Sequence, residues 1–109
     1  MSRFKDYVAA TQREPVYLRE ICAALDVSER TLRDCCHDHL GITPTRYLWL
    51  RRMHLARRVL LDADPRHTSV TDIATANGFW ELGRFAVEYR VLFNESPSTT
   101  LRRYRGAYS

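Results

Sequence analysis

The 109-residue sequence contains few of the residues that interrupt helices or cross-link a chain. It has four glycines, four prolines and three cysteines, and no C-x-x-C spacing occurs. No segment shows a sustained alternation with β-branched residues, which argues against strands. An odd number of cysteines, two of them adjacent, argues against a disulfide framework. These absences favour a helical protein from a reducing compartment.

A long apolar run is also missing. No segment approaches the ~20 apolar residues that span a membrane, and the first ten residues, MSRFKDYVAA, lack the apolar core of a secretory signal. Hydrophobic residues nevertheless make up 45% of the chain. That share is enough for a compact core and excludes a disordered chain. We therefore expect a soluble, intracellular domain.

Positive charge is carried almost wholly by arginine, because Lys5 is the single lysine among 17 basic residues and the net charge is +4. No acidic residue lies between Asp38 and Asp62. That stretch holds Arg46, Arg51, Arg52, Arg57 and Arg58. A guanidinium suits phosphates and guanine edges, so the stretch favours a polyanionic partner. A GC-rich genome or a merely solvated helix face are the plain alternatives.

The candidate for a metal site is the segment CCHDH. Cys35, Cys36, His37 and His39 lie within five residues of one predicted helix and point in different directions, so they cannot converge on one ion. The sequence also lacks a glycine-rich phosphate loop, paired carboxylates in an apolar setting and a Ser–His or Cys–His arrangement. We therefore predict no metal, no cofactor and no enzymatic activity.

Apolar spacing and capping residues predict an all-α fold of seven helices. Ser28 is a good N-cap and Gly41 a good C-terminal stop for the third helix. The fourth begins at Thr43 and Pro44, is ~27 Å long, and gathers Arg51, His54, Arg57 and Arg58 opposite its apolar side. The predicted helices cover about 3–12, 18–25, 29–40, 44–61, 70–76 and 81–93, with a last one from 96–98 that carries Leu101 and Tyr104.

The two halves of the chain repeat one pattern. LGITP at 40–44 lies over FNESP at 93–97, an offset of 53 residues, and the offset is 52 upstream because the second turn has one extra residue. Each half is a short helix, a tight turn, a second helix and a third element begun by proline, as in a helix-turn-helix unit. We expect Ala24 and Ala76 to be the small positions where the first two helices of each unit approach each other.

This repeat predicts one DNA-binding domain in three parts. They are a first helix-turn-helix subdomain at 1–43, a linker helix at 44–62 and a second helix-turn-helix subdomain at 63–109. A helix that begins sharply after a turn and exposes polar residues fits the major groove. Two such helices joined by a rigid helix can enter successive major grooves, which lie about 34 Å apart. The alternative is a helical protein-interaction module whose basic face binds an acidic partner.

The stretches LREICAALDVSERTLRDCCHDHLGITPTRYLWLRRMHLARRVLL and SVTDIATANGFWELGRFAVEYRVLFNESPSTTLRR resemble the DNA-binding domain of the AraC/XylS family of bacterial transcription regulators. The resemblance spans roughly Pro15 to Tyr104. It implies sequence-specific binding of double-stranded DNA, a location at the bacterial nucleoid in the cytoplasm, and RNA polymerase as a candidate partner. Full-length members usually add a ligand-sensing or dimerising domain. We therefore expect an excised, monomeric C-terminal domain rather than a stand-alone regulator.

The resemblance also implies which residues contact DNA. In the first unit, Arg30 and Arg33 would donate to guanine, Asp34 would accept from cytosine, and His37 would reach a base or a phosphate. In the second unit the base-contacting positions are Leu82, Gly83 and Val87. Arg84 is the remaining outward candidate on that helix and is added to them from the sequence itself. The phosphate contacts are predicted separately from the resemblance, because helix N-termini attract phosphates through their free N–H groups. The expected contacts are Thr31, Arg46 and Ser98, each of which also has a plain interpretation as a cap or surface residue.

The second unit departs from the family pattern. Val87 stands where Arg is common, and Trp80 stands where a Ser-like cap is common. Gly83 further weakens the helix. We therefore expect the first unit to supply most of the base contacts and the second to discriminate little between sequences. Three roles stay open for the second unit: contact with thymine methyls, recognition of DNA shape and contact with phosphates.

Overall fold

The computed structural model describes residues 1–10 and 17–103, and these residues confirm the predicted all-α fold. No strand occurs among them. The helices are α1 (Ser2–Ala10), α2 (Leu18–Leu25), α3 (Glu29–Leu40), α4 (Pro44–Asp62), α5 (Val70–Ala76), α6 (Leu82–Phe93) and α7 (Pro97–Arg102). The predicted extension of the first helix to residue 12 and the role of Tyr104 lie outside the described residues. Among the described helices, none combines the length and the apolar character needed to cross a membrane.

The chain divides into two compact units, with the division inside α4 between Arg51 and Arg52. The first unit has a core shared by three helices. Its buried members are Phe4, Val8, Ile21, Cys22, Leu32 and Cys36. Burial raises the pKa of the Cys22 and Cys36 thiols, so both stay protonated and act as small core hydrophobes.

The second unit is built around an aromatic row on α6. Phe85, Tyr89 and Phe93 follow one another at four-residue spacing, so they share one face of the helix. Their ring centroids are 5.6 Å apart for the first pair and 4.6 Å for the second. Side chains of α4, α5 and α7 complete the core with Met53, Ala56, Leu60, Ile73, Ala74 and Leu101.

Two buried hydroxyls tie α6 to α7 in this second unit. The Tyr89 hydroxyl donates to Thr100 Oγ1 at 2.7 Å, and the Thr100 hydroxyl donates to the Glu95 carboxylate. That carboxylate also pairs with Arg103 at 2.9 Å. Burial raises the pKa of Tyr89, which keeps its hydroxyl a donor. The network satisfies polar groups that would be costly to bury alone.

The same backbone hydrogen bond closes both helix-turn-helix turns. The Val27 N–H donates to the Cys22 carbonyl at 3.0 Å, and 52 residues later the Phe79 N–H donates to the Ala74 carbonyl at 2.9 Å. The residue just before each donor has a left-handed backbone, Asp26 with φ 56° and Gly78 with φ 86°. A left-handed residue is the usual way to end a helix abruptly. The duplicated sequence pattern therefore corresponds to a duplicated turn.

The small residues between the two helices of each helix-turn-helix, α2 with α3 and α5 with α6, are not the predicted ones. Ala24 and Ala76 are exposed, whereas Cys22 and Ala74 are buried. Two residues along a helix correspond to a rotation of about 200°, so Ala24 cannot share the inward face that Cys22 occupies. The predicted repeat is present, but the prediction that Ala24 and Ala76 lie at the helix contact is wrong because both are exposed.

The predicted basic side of α4 is only partly exposed. Arg58 is exposed. Arg57 is half-buried, and its guanidinium lies 4.8 Å from the centroid of the Phe93 ring. The side of α4 predicted to lie opposite its apolar side therefore also packs against the protein at Arg57, because the row of rings on α6 offers this guanidinium a cation–π contact.

Candidate nucleic-acid interface

Helix α3 begins sharply because its first turn is capped by a side chain. Ser28 has an extended backbone with φ −77° and ψ 160°, and its Oγ accepts a hydrogen bond from the Thr31 N–H at 3.1 Å. The Ser28 hydroxyl in turn donates to Thr31 Oγ1 at 2.9 Å. The cap satisfies one of the free N–H groups at the helix start. At the other end Gly41, with φ 70°, returns its N–H to the His37 carbonyl.

The outward face of α3 carries every base-contacting residue predicted for the first unit. Leu32 and Cys36 turn into the core. The four exposed predicted residues are Arg30, Arg33, Asp34 and His37. Within the described part of the chain neither Arg30 nor Arg33 forms an ion pair. Both guanidiniums therefore keep their N–H groups available for a ligand such as a guanine edge.

Helix α6 begins differently. Its N-cap is Glu81, with φ −96° and ψ 91°, and the side chain makes no capping hydrogen bond. Trp80, which the family pattern placed at the cap, lies one residue earlier and is 77% exposed. Trp80 is the extra residue of the second turn, because Val27 aligns with Phe79 and Ser28 aligns with Glu81. The first turn of α6 therefore lacks the side-chain cap that α3 has.

The predicted base-contacting residues of α6 lie in unequal surroundings. Leu82 is half-buried, whereas Gly83, Arg84 and Val87 are exposed. The Arg84 Nε donates to Glu88 Oε1 at 2.7 Å, one helical turn further on. This hydrogen bond raises the pKa of Arg84 above its ordinary value. Arg84 must exchange Glu88 for any new acceptor, so it is a weaker base-contacting candidate than Arg30.

The 53-residue offset identifies a further exposed cation, which is absent from the predicted contacts. It places Arg30, Arg33, Asp34 and His37 over Gly83, Ala86, Val87 and Arg90. Arg90 is exposed, and its carbonyl accepts the Asn94 N–H that ends α6, as the His37 carbonyl accepts the Gly41 N–H in α3. Arg90 could therefore have been found from the sequence by adding the 53-residue offset to each predicted contact residue of α3.

The three predicted phosphate contacts are all exposed, and each lies near a helix start. Thr31 belongs to the α3 cap. The Arg46 N–H donates to Thr43 Oγ1 at 3.1 Å, and the Arg46 guanidinium lies 4.1 Å from the centroid of the Trp49 ring. Ser98 Oγ is 3.1 Å from Ser96 Oγ, the N-cap of α7. The stacked guanidinium is the most fixed of these groups, since the ring supports one of its faces.

The chain contains two turns, each with a left-handed residue and each followed by a helix with an exposed face. This arrangement defines the class of the protein as a tandem helix-turn-helix domain. The family described as "Helix-turn-helix domain" matches residues 21–103. A Rhodococcus erythropolis protein described as "Probable thc operon regulatory protein" is 42% identical over 97 residues, which is 89% of this chain and 29% of the relative.

Solved structures have the same fold. The crystal structure of a probable AraC family transcriptional regulator from Rhodopseudomonas palustris CGA009 superposes with a TM-score of 0.84, at 32% identity and 95% coverage of both chains. The DNA-binding domain of AdpA, described as a global transcriptional factor in complex with a target DNA, superposes with a TM-score of 0.79. It is 21% identical, over 98% of this chain and 94% of that one.

The chain belongs to the AraC/XylS family and is a helix-turn-helix DNA-binding domain of that family, as the resemblance predicted. It spans 29% of the length of the Rhodococcus relative. The contacts of individual residues with DNA stay predictions.

Proposed function

We propose that this chain is the DNA-binding part of a bacterial transcription regulator and that α3 supplies most of its base contacts. The observation that carries the proposal is the outward face of α3. It presents Arg30 and Arg33, which form no ion pair with the described residues, on a helix whose start is fixed by the Ser28 cap. Asp34 and His37 lie beside them. Bidentate Arg–guanine pairs are the commonest specific contact in the major groove.

In the proposed complex, α3 and α6 enter successive major grooves of one duplex. The three parts are the first subdomain at 1–43, a linker helix at 44–62 and the second subdomain at 63–109. Helix α4 has 19 residues, about 28 Å at 1.5 Å per residue, against a groove repeat of about 34 Å. Thr31, Arg46 and Ser98 hold phosphates, and such contacts position the protein without selecting sequence.

The full-length regulator is proposed to work at the bacterial nucleoid. A further domain would supply effector binding or dimerisation, while this domain is monomeric alone. RNA polymerase is the candidate protein partner. A role in transcription regulation is supported by the Rhodococcus relative, which is described as a probable operon regulatory protein. The AdpA domain, with the same fold, was crystallised on a target DNA.

Selection of binding sites from random duplex DNA tests the proposal. The full chain should enrich a defined site, and Arg30→Ala should lose about 1–3 kcal/mol on that site and relax preference at one base pair. Arg30→Lys is the matched control, because it keeps the charge but loses the planar fork. It should keep the salt dependence of binding and still relax the same position. Enrichment of no sequence by the wild-type chain would contradict the proposal.

A further inference from the structure

The outward face of α6 is apolar where the outward face of α3 is charged. Val87 is 65% exposed and occupies the position equivalent to Asp34. Gly83 and Ala86 occupy the positions of Arg30 and Arg33, so this face has lost both guanidiniums at once. The nearby Arg84 is bound to Glu88. The first two turns of α6 therefore present methyl groups and little that can hydrogen-bond a base edge.

We propose that Val87 contacts the 5-methyl group of thymine in the major groove, so that the second unit selects thymine by an apolar contact. The inference rests on the proposed function and names what the second unit recognises. Thymine is the base that presents a methyl group in that groove, and apolar side chains are its usual partners. The two isopropyl methyls of Val87 extend from a helix position whose counterpart on α3 is a predicted base contact.

The charges around Val87 favour DNA over an apolar protein surface as the occupant. Arg84 lies nearly one turn before Val87 and Arg90 nearly one turn after it, and both are exposed. Arg84 is compensated by Glu88, whereas Arg90 forms no ion pair with the described residues. Arg90 is therefore the cation beside Val87 that can meet a phosphate at the rim of a groove whose floor carries thymine methyls. Gly83 strengthens this assignment, because no side chain and no backbone beyond its own stretch of helix lies within 4 Å of the place of its missing Cβ, so a base edge can approach the backbone there.

The contact also accounts for a second unit that discriminates weakly. Removing one buried methyl lowers affinity about fourfold, whereas losing a bidentate hydrogen-bonded pair lowers it about 5- to 150-fold. The second half-site should therefore favour thymine at one or two positions and tolerate other bases elsewhere.

The test replaces thymines of the selected site with deoxyuridine, one at a time. This change removes the 5-methyl group and leaves every hydrogen-bonding group of the base in place. We expect about fourfold weaker binding at one or two thymines of the second half-site, measured by fluorescence anisotropy. With Val87→Ala the same replacements should have no effect, because the double-mutant cycle then lacks the contact.

Val91→Ala is the matched control. Val91 has the same side chain on the same helix and is 82% exposed, but it lies a turn further from the helix start that enters the groove. Its variant should keep the full deoxyuridine effect. The inference is overturned by a selected site without thymine in its second half, or by deoxyuridine effects that are absent or equal in Val87→Ala and wild type. Failure to select any site would instead overturn the proposed function.

Discussion

Gly78 and Gly83 are five residues apart and have opposite conformational requirements. Gly78 lies in the turn just after α5 with φ 86°, and the place of its missing Cβ lies 3.5 Å from Arg52 Cδ. Gly83 has ordinary helical geometry within α6 and open space around it. The first position needs a residue without a side chain, whereas the second weakens its helix by about 0.5–1 kcal/mol.

Replacing each glycine with alanine separates these two cases. Gly83→Ala should raise the free energy of unfolding by about 0.5–1 kcal/mol, because alanine restricts the unfolded chain and fits the helix. Gly78→Ala should lower it by about 1–2 kcal/mol, since alanine is strained at positive φ. Urea unfolding of the two variants beside wild type measures both changes. Equal effects would contradict this account of the turn.

Among the secondary-structure elements, the two exposed helices differ most in how they begin. Helix α3 is held by the Ser28 side chain, while Glu81 makes no capping hydrogen bond at the start of α6. Both helices end alike, with a left-handed residue, Gly41 or Asn94, whose N–H returns to the carbonyl four residues earlier. The duplicated units thus keep a common C-terminal stop and have diverged at the helix start, where we propose that DNA is contacted.

Substitutions at the two caps should shift stability in opposite directions. Ser28→Ala should destabilise the chain by about 0.5–2 kcal/mol, because the Thr31 N–H loses its acceptor. Glu81→Ser should stabilise it by up to about 1 kcal/mol by supplying the missing cap. Thermal unfolding followed by circular dichroism measures both. A Glu81→Ser variant no more stable than wild type would show that α6 does not admit a side-chain cap.

At the scale of the full chain, positive charge is expected to set the strength of binding to a polyanion and its dependence on salt. The net charge is only +4, so general attraction is modest and individual cations carry the effect. Some of those cations are already compensated, as Arg66 is by Asp64, whose Oδ2 lies 2.9 Å from Arg66 Nη2. The exposed Arg46 stacks on Trp49 instead, and that contact leaves its charge available.

Salt dependence should separate these two kinds of arginine. Arg46→Ala should weaken binding alike on every sequence and reduce the slope of log affinity against log salt by about 1, because one fewer counterion is released. Arg66→Ala, the control with a compensated charge, should leave the slope unchanged. Anisotropy titrations between about 50 and 200 mM salt provide the slopes. A shallow slope for wild type would favour the protein-interaction alternative over DNA binding.

The helices, their stops and the internal repeat could all be predicted from the order of the amino acids. Helix limits depend on neighbouring residues, such as Ser28 three residues before Thr31 or Gly41 four residues after His37. Such local interactions are encoded within one or two turns. The exposed residues of α3 followed from the same periodicity, since Leu32 and Cys36 fix the opposite face.

The contacts that charged and small side chains make inside each unit depend instead on packing between parts of the chain that are distant in sequence. Arg57 is predicted to lie opposite the apolar side of α4. Its guanidinium nevertheless stacks on the ring of Phe93, which is 36 residues later in the chain. Ala24 is predicted to be a contact position of α2, yet Ala24 is exposed and Cys22 is buried. Such contacts join residues far apart in sequence, and helical periodicity does not specify which neighbour a side chain meets.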